Sequence, residues 1–93
     1  MKFKLIQQRK LIDTYKESLG FKEINKEFFA RRNANNNWEI EFRRTYSPNT
    51  NFEYVDKLKL ELKRDGKARE FTSLNSVMKF MELVGVKEFT VIM

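Results

Sequence analysis

The 93-residue chain has no cysteine and no histidine, a single proline and three glycines. Without Cys there is no disulfide, no thiolate nucleophile and no Cys-based zinc site, which suits a reducing compartment or one indifferent to redox. Without His the commonest general base and the commonest metal ligand are missing as well. The sequence shows no nucleophile set beside a base, no metal-ligand spacing and no glycine-rich phosphate loop, so it predicts no enzyme and no cofactor or metal. No apolar run approaches the roughly 18 residues of a membrane span, and the opening MKFKLIQQRK has too short an apolar stretch for a signal peptide. The expected location is cytoplasmic, with no membrane partner.

What the chain does have is aromatic and basic. Nine Phe, three Tyr and one Trp supply large, rigid side chains, enough for one core in a single small domain over residues 1–93. Nineteen Lys and Arg against 13 Asp and Glu leave a net charge of +6. Such an excess favours a polyanionic partner, DNA or RNA.

Periodicity sets out the elements. Leu11, Ile12, Tyr15 and Leu19 recur at helical spacing and predict a helix over 9–19, stopped by Gly20. Residues 2–6 read as either strand or helix. The runs KEFFARR and WEIEFRRTY, split by NANNN, predict a hairpin. Pairing Phe28 with Phe42, Ala30 with Ile40 and Arg32 with Trp38 makes one face apolar. The same register sets Glu27 against Arg43 and Arg31 against Glu39 on the other, and a slip of one residue would scramble both faces.

After the SPNTN loop, YVDKLKLELK alternates like a strand, and Asp65-Gly66 signals a two-residue hairpin turn that sets Leu60 opposite Phe71. Thr72 or Ser73 caps a helix running to Val84, Gly85 ends it, and FTVIM resumes a strand. The expected fold is α+β: a four-stranded antiparallel meander with two helices and a C-terminal fifth strand.

Three candidate surfaces follow. In a meander the first and third turns share one end, so Arg31, Arg32, Lys63, Arg64, Lys67 and Arg69 gather there. Trp38 begins its strand at that end, to stack a base or to support Arg32, and the Asn cluster adds donors for phosphate. The outward sheet face offers Phe29, Arg43, Lys57, Lys59 and Lys63 among Glu27, Glu41 and Glu61, a surface for single-stranded nucleic acid unless the first helix covers it. The second helix keeps a polar stripe of only Asn75, Ser76, Lys79 and Glu82, which predicts a homodimer or a protein partner through Met78 and Met81. Each surface has a plain structural alternative. Charged tips keep hairpins soluble, Arg31 and Arg43 neutralise Glu39 and Glu41, and an apolar helix is simply core.

The order of helix, strands and helix resembles that of double-stranded-RNA-binding domains, and a meander closed by a helix resembles single-stranded-DNA-binding transcription coactivators. The last helix here carries only Lys79 where the first of these families has a lysine-rich opening turn, and no family is assigned. Two functions fit. One is a small basic non-enzymatic nucleic-acid-binding module using cationic hairpin tips. The other is a phage- or plasmid-encoded inhibitor that engages a host protein through its acidic or nucleic-acid-binding surface.

Overall fold

The computed structural model describes residues 3–21, 24–46, 54–61 and 66–93. Eight elements follow in chain order: β1 (Lys4–Ile6), α1 (Gln8–Ser18), β2 (Asn25–Arg32), β3 (Trp38–Tyr46), β4 (Tyr54–Leu60), β5 (Glu70–Phe71), α2 (Leu74–Val84) and β6 (Thr90–Ile92). The strands form one sheet in the order β1-β4-β3-β2-β6, with β5 also paired to β3.

The α+β class and the two helices are as read from the sequence, but the antiparallel meander is not: the sheet is mixed. Strand β1 lies parallel to β4 and β6 parallel to β2, while β3 is antiparallel to β2, β4 and β5. Thus β3 alone runs against the other five. The physical reason is that each helix carries the chain back to the end of the sheet where the preceding strand began. Both β1-α1-β2 and β5-α2-β6 are therefore crossovers between parallel strands.

The largest correction lies between β4 and β5. Glu41 pairs with Lys59 on β4, and two residues further along β3 Glu39 pairs with Glu70 and Trp38 with Phe71. Strand β5 does not run back beside β4; it takes up the track along β3 that β4 has left. Where the two strands approach, Arg69 N donates to Leu60 O at 2.7 Å and Glu61 bridges Ala68. The expected register would have set Glu61 against Glu70. The observed one instead places Phe71 beside Trp38, where the Phe80 ring of α2 covers it at 5.6 Å. Gly66 has the positive φ of 69° that the turn signal required. Asp65, Lys63 and Arg64 lie outside the described residues.

The hairpin of β2 and β3 has the expected register at every pair. Its turn is held by Asn33, whose Oδ1 accepts from the backbone N–H groups of Asn35 and Asn37 at 3.0 Å each, and by Asn36 in the left-handed region at φ 62°. Both helices pack on the face that carries Phe28, Ala30, Ile40, Phe42, Leu58 and Leu60. Tyr15 of α1 meets Phe28 and Phe42 edge-on at 5.2 and 6.0 Å. Helix α2 starts at a Ser73 cap that accepts from Ser76 N at 3.1 Å and ends at Gly85, φ 93°. It buries Val77, Phe80, Met81 and Val84. Among the described residues no helix covers the opposite, outer face of the sheet.

Candidate nucleic-acid interface

The cations named from the sequence divide into those that are used within the fold and those that are not. On the inner side of the sheet, Arg32, Trp38 and Phe71 form one cross-strand row. The Arg32 guanidinium lies 5.8 Å from the Trp38 ring, and that of Arg69 lies 4.7 Å from Phe71 and 5.8 Å from Phe80. Trp38 is only 7% exposed and belongs to the core. It cannot offer a face to a base, and it acts as the ring beneath Arg32. Among the described residues Arg32, Lys67 and Arg69 have no carboxylate within ion-pair distance.

Arg31 is different. Its Nε donates to Glu41 Oε1 at 2.6 Å, and Arg43 Nη2 reaches Glu41 Oε2 at 3.3 Å. Arg31 stands opposite Glu39 in the register but its side chain crosses diagonally to Glu41, a reach that a long side chain has and that pair counting overlooks. Lys59 Nζ takes Glu39 at 2.8 Å. Glu41 is 0% exposed on a face that no helix covers, because these cations close over it. Arg31 therefore leaves the free set.

The Asn-rich turn is also occupied. Asn33 Nδ2 donates to Glu39 at 3.0 Å and to Glu70, and Asn35 Nδ2 donates to Glu70 at 3.1 Å. These amides, led by Asn35, hold the Glu70 carboxyl below its ordinary value. The turn thus binds an acid of its own chain rather than presenting donors to phosphate.

A basic edge that the sequence reading missed lies beside Arg69. Arg69 Nη1 donates to Gln8 Oε1 at 3.0 Å, which sets Arg69 against the first turn of α1 with its exposed Arg9 and Lys10. Lys4 and Lys10 line a cavity of about 400 Å³ with Leu5, Ile6, Leu58 and Glu61. The missing signal was the placement of residues 4–6: once they pair with β4, the start of α1 must follow at the same end.

The two residues proposed for a protein interface separate. Met81 is 1% exposed and packs in the core, so it is not available to a partner, whereas Met78 is 49% exposed. Leu83, at 64%, is the other large apolar side chain that α2 leaves open. The sheet covers more of α2 than a narrow polar stripe suggested, burying Val77, Phe80, Met81 and Val84.

Among the described residues no group of three or more acidic, His or Cys side chains could hold a metal ion, and no helix is long and apolar enough to cross a membrane. No family model matches the chain, no curated protein matches it, and no solved structure matches it.

Proposed function

We propose that the chain is a small non-enzymatic nucleic-acid-binding module that acts in the cytoplasm and grips phosphates along the basic edge formed by Lys67, Arg69 and the first turn of α1. The observation that carries this reading is the Arg69–Gln8 hydrogen bond, which brings two separately basic stretches to one place. Arg32, Lys67 and Arg69 supply cations without carboxylate partners among the described residues, and Lys4, Arg9 and Lys10 extend them. Unpaired cations on one edge attract a phosphate backbone without selecting its sequence, and their contribution falls steeply with salt.

The test is titration of labelled duplex and single-stranded DNA and RNA at physiological and at lower salt, with the mass in solution measured alongside. Binding that weakens linearly in log salt supports the reading; no binding of any form at low salt overturns it. The second reading, an inhibitor of a host protein, is favoured by one feature, the exposed Met78 and Leu83 of α2. It predicts a monomer or dimer that leaves all nucleic acids unbound and captures a protein instead.

A further inference from the structure

We infer that the outer face of the sheet takes single-stranded nucleic acid, with Phe3 as the platform for a base and Lys57 beside it for the adjoining phosphate, while Arg43 and Lys59 stay tied to Glu41 and Glu39. This rests on the nucleic-acid reading above but uses a different surface. The Phe3 ring is approached by three cations: Lys59 Nζ at 4.9 Å, and Lys57 Nζ and Arg43 Cζ at 5.8 Å each. An aromatic side chain on a sheet face, ringed by cations, combines the two chemistries that a nucleotide offers, a π-face and a negative charge.

The surroundings fix the group in place. Arg43 lies 4.5 Å from the Phe29 ring as well as 5.8 Å from that of Phe3. Buried Glu41 binds both Arg31 and Arg43. Lys57 has no carboxylate within ion-pair distance among the described residues. Lys57 and Lys59 lie on β4, whose last residue, Leu60, accepts from Arg69 N, so a strand laid along β4 meets both the sheet face and Arg69.

Single-stranded nucleic acid fits better than the alternatives. In a duplex the base faces are stacked on one another and closed to Phe3. An acidic protein would use the cations and leave the ring idle.

The experiment is fluorescence anisotropy with a labelled oligothymidylate and with a duplex of equal length, using the wild type, Phe3→Leu and Lys57→Gln. Phe3→Leu keeps apolar bulk and removes the ring. The expected result is a loss of about fivefold to about a hundredfold in single-strand affinity for Phe3→Leu, the range for one stacked base. Lys57→Gln should weaken the same complex and make its log-salt slope shallower by about 0.7. Duplex affinity should move less than about twofold in either variant.

Single-strand affinity unchanged in both variants would overturn the inference. So would binding of duplex alone, which leaves the basic-edge reading standing, whereas failure to bind either form at low salt removes both. Thermal melting of each variant shows whether it folds, and Lys57→Gln decides the matter if Phe3→Leu does not.

Discussion

Arg69 donates from Nη1 to Gln8 Oε1 at 3.0 Å while its guanidinium lies over Phe71 and Phe80. One residue thus joins the end of β4, through its backbone bond to Leu60, to the start of α1 and the core under α2. Lysine at this position keeps the charge but has neither the planar group nor the directional fork. Arg69→Lys is expected to lower stability by about 1 kcal/mol in urea unfolding, the sum of a modest cation–π contact and one hydrogen bond.

Leu60 is the last residue of β4 and is 1% exposed. Truncation leaves a cavity in the core cluster that Leu60 shares with Ile6, Leu11 and Ile40. Leu60→Ala should cost about 2 to 5 kcal/mol. Lys57→Ala, on the outer face, should change stability by less than about 1 kcal/mol in the same assay.

Glu41 predicts a different kind of loss. Replacing it by Ala leaves Arg31 and Arg43 side by side without the carboxylate that both now bind. Breaking a buried pair costs roughly 3 to 5 kcal/mol, and the access of both guanidiniums to water reduces that here to about 2 to 4 kcal/mol. Glu41→Leu, which adds apolar contact with Phe29, should recover part of the loss; chemical denaturation of the two variants measures the difference.

Glu70 predicts a pH dependence. Its carboxyl is held below the ordinary value by hydrogen bonds from Asn35 and Asn33, so the folded state favours the ionised form. The resulting stability is present above the ordinary carboxylate pKa, about 4.3, and is lost as pH falls through the lowered folded value. The gap in melting temperature between wild type and Glu70→Ala should therefore be widest near neutrality and shrink as the pH falls below that range. A gap that stays constant would show that the amides favour neither form.

The β2–β3 hairpin was legible because two independent patterns, Phe28 against Phe42 and Glu27 against Arg43, demand one register. The caps of α2 were legible for a similar reason, Ser73 and Gly85 being residues whose chemistry serves helix ends. The β4–β5 connection was not. The alternation in LKLELK continues past Leu60 with nothing to mark the point where β4 leaves β3, and Asp-Gly reads the same in the sequence whether or not the next strand returns along β4. The decisive pairing, Trp38 with Phe71, joins residues far apart in the chain and leaves no local trace. The site followed the same division. Arg32, Lys67 and Arg69 have no carboxylate partner among the described residues, while Arg31 was lost to a diagonal partner and Phe3 was overlooked because residues 2–6 had no settled element.

On the proposed function a defined edge, not bulk charge, holds the nucleic acid. Two double variants of equal net charge test it: Arg32→Glu with Lys67→Glu at the edge, and Lys16→Glu with Lys87→Glu away from it, all four positions being exposed. Titrated against the same labelled oligonucleotide at physiological salt, the edge variant should lose more than about a hundredfold in affinity and show a shallower salt slope, and the remote variant less than about threefold. Equal losses in the two variants, or a wild type that binds no nucleic acid, would contradict it.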